Sequence, residues 1–260
     1  MSRNRLGVPA ALILALTAAS CGGGGSNDGA SETTKATETT QEAGSFSEEE
    51  AKAGAKTVQL TINDFPTGWV REAAQPNNGT FGANLPAECQ FFGDEENVPG
   101  TVITVESDEF VSPDKDRVSS NSTVYEKAEA GANAFAAIRQ FFDDCREPLR
   151  DAFTHLFRDA LRNEVNTRNS SLQLELTQFD LNLMPFPQYG DESLAFRMNG
   201  KIESPEISLD FTIDAIGTRL ENVDAGLTYV SYGSTPSAEF EKGLMLKLEQ
   251  RAREAAASLK

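Results

Sequence analysis

Cys21 splits the sequence into a leader expected to be removed, a stretch that cannot fold, and a remainder that must hold the whole core. It closes the apolar segment Leu6 to Ala19, which begins behind Arg3 and Arg5, and Gly22, Gly23, Gly24, Gly25 and Ser26 follow at once. A basic start, a short apolar run and small residues before a cysteine specify a secretory signal cut immediately ahead of a lipid-carrying Cys. Leu6 to Ala19 falls short of the roughly 20 apolar residues that cross a bilayer, and Gly7 and Pro9 interrupt it.

Ala18, Ala19 and Ser20 resemble a lipoprotein lipobox, with alanine where that motif usually carries a large aliphatic residue. The same residues satisfy an ordinary secretory cleavage site, which releases the same chain without lipid. Lipidation is the expectation, because an ordinary cut leaves a bare thiol with no evident purpose. Residues 1–20 are then the signal and Cys21 the acylated, palmitate-bearing residue at the extracytoplasmic face of the cell membrane.

Residues 22–50 hold one large apolar side chain, Phe46, among Gly, Ser, Thr, Glu and Ala, so burial cannot offset the entropy of ordering. Residues 21–50 are expected to be a flexible tether with a reach of roughly 30 Å, leaving one domain over 51–260. The net charge of −17 becomes −19 once Arg3 and Arg5 leave; the tether's seven acids and Lys35 make it −6, so −13 falls on residues 51–260. Such a surface repels phosphate backbones and anionic headgroups, which argues against nucleic-acid binding.

Assigning Cys21 to lipid leaves Cys89 and Cys145. An oxidising compartment makes a disulfide the expectation and two buried thiols the alternative. Closing that loop stabilises by roughly 4 kcal/mol in the chain-entropy model.

A helix from about Ser47 to Ala55 is expected to lead into a strand at Val58 to Ile62, then the turn Pro66, Thr67, Gly68 beside Trp69. Residues 76–100, rich in Asn, Gly, Pro and acids, read as a loop. Thr101 to Ser107 and Val118 to Tyr125 read as strands. Phe135, Ile138, Phe142 and Cys145 recur on one face of a helix over about 127–146, and Pro148 restarts a second amphipathic stretch to about Val165. Four strands follow, near Ser171 to Leu181, Leu194 to Met198, Glu206 to Ala215 and Ala225 to Tyr232. Leu209, Phe211, Ile213 and Ala215 alternate with Asp210, Thr212 and Asp214, predicting one buried and one wet face. A last helix over about Ala238 to Leu259 carries the stripe Phe240, Leu244, Leu248, Ala252 and is expected to cross the sheet. The fold class is α+β: a curved antiparallel sheet packed against two or three helices.

Catalytic signatures are sparse. The one histidine, His155, sits within a helix, and no nucleophile elbow, phosphate loop or dinucleotide fingerprint appears. Ser112, Pro113, Asp114, Lys115 match the serine and lysine pattern of penicillin-recognising enzymes, but in a loop and without companion motifs. Asp94, Glu95 and Glu96, or Asp143 and Asp144, could gather calcium, although solvated surface charge accounts for them. The expectation is no catalysis, no cofactor and no metal site. Most of the sixteen phenylalanines belong in a core. Phe141, Phe153, Phe186 and Tyr189 fall beside the clean stripes, with Met184, Pro185 and Pro187, and are the candidates to line an apolar cleft for a small molecule or lipid.

The run Leu60, Thr61 through Phe65, Pro66, Thr67, Gly68, Trp69, then Cys89, then the helix ending in Phe142 and Cys145, then Gly190, Asp191, Glu192, Ser193, Leu194, Ala195, Phe196, Arg197 resembles an actinobacterial family. That family comprises extracytoplasmic sensor domains of the PknH type and LpqN-type lipoproteins with a PsbP-like fold. The likeness covers about residues 57–250. This chain lacks a second cysteine pair that such domains can carry, and residues 149–165 look like an insertion, so no binding residue transfers. The resemblance implies a curved antiparallel sheet with helices against it, binding an extracellular ligand or an envelope protein without catalysis. LppX-like lipid carriers are an alternative class, against which the Cys89 and Cys145 pair argues.

Overall fold

Ser47 and Glu50 open the fold by capping one another. The Ser47 N–H donates to Glu50 Oε2 at 2.7 Å and the Glu50 N–H to Ser47 Oγ at 3.2 Å, satisfying two of the N–H groups that a helix start leaves free. The computed structural model describes residues 46–73, 98–167, 175–205 and 208–260, with the backbone alone for residues 153 and 156–167. Helix α1 spans Glu48–Val58, so ordered structure begins inside the stretch read as tether, and Phe46 packs against the core.

A short 3-10 turn, Ile62–Asp64, follows where a strand was expected over 58–62. The helix keeps Val58 because Ala51, Gly54, Ala55 and Val58 form its buried stripe. Leu60 then spends its N–H on the Ser120 hydroxyl at 2.9 Å rather than on a neighbouring strand.

The strands are β1 (Val70–Glu72), β2 (Thr101–Glu106), β3 (Glu109–Val111), β4 (Arg117–Tyr125), β5 (Glu175–Leu183), β6 (Glu192–Glu203), β7 (Ser208–Leu220) and β8 (Val223–Tyr232). They form one open antiparallel sheet in the order β1-β3-β4-β8-β7-β6-β5, with β2 also on β4. β2 and β3 run one after the other along β4, meeting it at Glu106↔Asn121 and Phe110↔Val118. Helix α2 spans Ala128–Thr167 and α3 spans Ala238–Ser258.

Successive strand residues point to opposite faces, and both faces are covered. Ile216, Leu220, Leu227 and Tyr229 share a core with Ala51 and Ala55 of α1 and Leu244, Met245 and Leu248 of α3. Phe211, Ile213, Met198 and Val230 join Phe141, Phe142, Cys145 and Leu149 of α2 on the opposite face. This corrects the wet face expected on β7: Asp214, on the α3 side, has a fully buried side chain.

The break expected at Pro148 is also corrected, since α2 is one helix through it. Proline there removes only the bond to the Asp144 carbonyl. Phe142, Cys145 and Leu149 are buried on both sides of it, and Arg146 donates from Nε to the Leu181 carbonyl at 3.0 Å, pinning that turn to β5.

The first and last helices are clamped by charge. Arg251 grips both Asp64 oxygens, at 2.8 and 2.9 Å, and donates to the Gln59 carbonyl at 2.7 Å. Burial pushes the Asp64 carboxyl up, but the Arg251 hydrogen bond, the Thr61 N–H and the Arg251 and Lys247 charges outweigh it and hold it below the usual range. A lowered pKa contributes stability that is full above the ordinary value of about 3.9 and lost as pH falls through the folded value. Arg251→Ala is expected to cost about 2–3 kcal/mol at neutral pH, less than the loss from a fully enclosed pair because Lys247 stays nearby. Urea midpoints should show that penalty shrinking below about pH 4; a variant as stable as the parent at pH 7 would refute the clamp.

Candidate functional site

Phe141 is a core residue, 5% exposed, against Phe142 on the α2 side of the sheet. Phe186 and Tyr189 lie on the other side and pack together with ring centroids 5.6 Å apart. Phe153 is in α2, with its side chain outside the described residues. The structure therefore brings Phe186 and Tyr189 together and leaves Phe141 across the sheet from them. The Tyr189 hydroxyl is buried without a hydrogen-bond partner among the described residues, and burial, then the Glu249 and Glu239 charges, push its pKa up. Cys145 is 2% exposed in the α2 core, whereas Cys21 and Cys89 lie outside the described residues, as do Asp94, Glu95 and Glu96.

The other sequence candidates resolve into surface and turn. His155, Asp143 and Asp144 are exposed on α2. Ser112 and Lys115 close the β3–β4 turn: the Lys115 N–H donates to the Ser112 carbonyl at 3.0 Å, and Ser112 Oγ accepts from the Asp116 N–H at 2.9 Å. Among the described residues no group of three or more His, Cys, Asp or Glu is placed to hold a metal ion.

Two concavities of the described surface bear on function. The first, about 440 Å³, separates the Val98, Pro99, Gly100 turn from the first half of α2, where Ala130, Ala134 and Ala137 form the wall and Glu126 and Lys127 the rim. Among the described residues, small side chains on α2 leave that space open. Beneath the same turn of the helix, Tyr125 donates to Asp224 Oδ2 at 2.8 Å, while Asp224 Oδ1 has no partner among the described residues. Burial, against the Tyr125 hydrogen bond and the Arg219 charge, pushes the Asp224 carboxyl well above the usual range.

The second concavity, about 310 Å³, lies on the α3 side of the sheet where β5, β6 and β7 run past the start of that helix. Next to its floor the register pairs Arg197 with Asp214. Arg197 Nε donates to Asp214 Oδ1 at 2.6 Å and Nη2 donates to Oδ2. Glu241, in the first turn of α3 and 1% exposed, completes the cluster. Burial first, then hydrogen bonding to and repulsion from Asp214, push the Glu241 carboxyl up to about 9 against the pull of Arg197. At neutral pH it is a proton donor to Asp214 rather than a second charge. The sequence carried one signal for this group, a glutamate at a helix start beside the apolar stripe, and none for its partners, which lie 27 and 44 residues upstream.

Fold and sites together define an α+β domain whose open antiparallel sheet carries α1 and α3 on one face and α2 on the other, with a described concavity on either side. No protein-family model matches the chain, and no curated protein does. Among solved structures it is similar to the extracellular domain of PknH from Mycobacterium tuberculosis, with a TM-score of 0.37 and 10% identity over 81% of this chain and 98% of that one. No described helix is long and apolar enough to cross a membrane.

Proposed function

We propose that this chain is a lipid-anchored, non-catalytic binding or sensor module of the actinobacterial cell envelope, held at the extracytoplasmic face of the membrane by an acylated Cys21. The observation that carries the binding role is the 440 Å³ cleft between α2 and the Val98–Gly100 turn, a volume within the range of small-molecule sites. Its small apolar wall and polar rim suit an amphipathic small molecule or a lipid fragment. The anchoring role rests on the Cys21 context and on the core-poor composition of residues 22–50 that follow it. A Cys89 to Cys145 disulfide belongs to the same exported setting and would brace α2, one wall of the cleft. An interaction module docking an envelope protein is the second reading, favoured by the −13 charge on residues 51–260.

Intact and native mass spectrometry of the membrane-extracted chain tests the set. We expect a diacyl mass on Cys21, a mass gain on reduction from one disulfide, and a retained small molecule lost in Ala134→Trp. Cys21→Ala is expected to move the folded protein into the soluble fraction. An unmodified first residue with unchanged membrane partitioning removes the anchor; a ligand-free spectrum in every preparation removes the binding role and favours the docking module.

A further inference from the structure

We propose that the second concavity, beside the start of α3, binds a neutral hydroxyl-rich ligand, a saccharide in chemical class. It is separate from the cleft on the α2 side and goes beyond the binding role argued above. Its floor is two rungs of one sheet face. Asp180, Asn199 and Thr212 lie side by side across β5, β6 and β7, with Asp210 one rung further along. The Gly233–Thr235 loop makes the wall, and Ser234 supplies a hydroxyl there.

Three features distinguish this surface from an ordinary solvated sheet face. First, among the described residues no Lys or Arg lines it; the cations of the two flanking rungs, Lys201 opposite Asp210 and Arg197 opposite Asp214, are taken by Glu203 at 2.5 Å and by Asp214. Phosphates and carboxylates are therefore rejected by Asp180 and Asp210 and find no counter-charge. Second, the polar groups are fixed before any ligand arrives. Thr212 Oγ1 donates to Asn199 Oδ1 at 3.1 Å, which orients that amide, and Ser234 bonds Ser231, which bonds Asp116 Oδ1 at 2.9 Å. Preset donors and acceptors lower the entropy cost of binding. Third, the chemistry is mixed: carboxylate acceptors, amide N–H donors and hydroxyls that do both, the complement of vicinal alcohols. The adjoining rung is sealed by the Arg197 and Asp214 pair, so a ligand rests on a rigid base.

The test uses the full-length protein in detergent, with saturation-transfer NMR against maltotriose, chitotriose and xylotriose, and separately against calcium chloride and spermidine. We expect saturation transfer from at least one trisaccharide, and at least a tenfold weakening of its binding in Asp180→Ala and in Asn199→Ala. Both residues are exposed, so melting curves should not move, which separates lost contact from lost fold. The α2-side variant Ala134→Trp should leave saccharide binding intact, so this site can fail while the cleft stands, and the reverse. No transfer from any trisaccharide, binding of calcium or spermidine alone, or trisaccharide binding indifferent to both variants overturns the proposal.

Discussion

Arg197→Ala should lower the stability of the domain by about 3–5 kcal/mol, a fall in Tm of roughly 8–15 °C for a domain of this size. Asp214 is the cause. Its side chain has no exposed surface, and Arg197 is its counter-charge through two hydrogen bonds. Removing the guanidinium strands a buried carboxylate without its counter-charge. Replacing the whole cluster with Arg197→Met, Asp214→Leu and Glu241→Leu should cost far less than Arg197→Ala alone, because the large penalty belongs to the stranded charge. Glu241→Gln separates out the proton. With the Glu241 carboxyl raised to about 9, the folded state keeps a proton that the unfolded chain releases near its ordinary value of about 4.3. Stability from this group is therefore full below that value and declines as pH rises towards about 9. Gln still donates to Asp214 but does not titrate, so the variant should lose that decline and differ from the parent by about 1 kcal/mol or less at acidic pH. Urea midpoints between about pH 5 and 9 would expose the difference; identical slopes for Gln and Glu would show that position 241 is not the titrating group.

Gly190→Ala is expected to cost about 2–4 kcal/mol, a large effect for one methyl group. Gly190 holds φ +57, and a Cβ there would stand 2.4 Å from the Arg219 carbonyl oxygen and 2.7 Å from Leu220. Neither neighbour can yield. The Arg219 carbonyl accepts from the Asp191 N–H at 2.8 Å, and Arg219 itself is held by Glu192 at 3.1 Å. Tyr189 and Ser193 close the same junction, with the Ser193 hydroxyl accepting from the Tyr189 N–H at 2.7 Å. The Gly190, Asp191, Glu192, Ser193 run is thus a joint that fixes the entry of β6 against the end of β7. Thermal melts of Gly190→Ala and Asp191→Asn should separate backbone strain from hydrogen bonding; a Gly190→Ala melt at the parent temperature would refute the joint.

Local signals carried much of this architecture. Ser47 with Glu50 marks a helix start, the 3.6 spacing of Phe135, Ile138, Phe142 and Cys145 marks the buried stripe of α2, β-former content marks β4, and alternation marks β7. What alternation cannot show is what lies opposite a polar residue. Asp214 reads as solvent-facing until Arg197 from another strand and Glu241 from the last helix close over it. β1 and β3 have three residues each, too short to carry a period, and they exist because β4 offers an edge. Pro148 has the local chemistry of a break, yet packing on both flanks outweighs one lost hydrogen bond. The candidate site was hidden for the same reason: a cleft is an absence, made by the small Ala130, Ala134 and Ala137, while the search for a lining favoured large aromatics such as Phe141 that fill space instead.

The clamp between α1 and α3 also decides how the molecule bears load. A pull on the N-terminal end of α1 enters at Ser47 and meets the Arg251 grip and the Gly54 contact with Leu259. Such a pull is opposed first by that grip and by the packing of α1 on α3, so the helix pair takes the load before any edge strand of the ladder does.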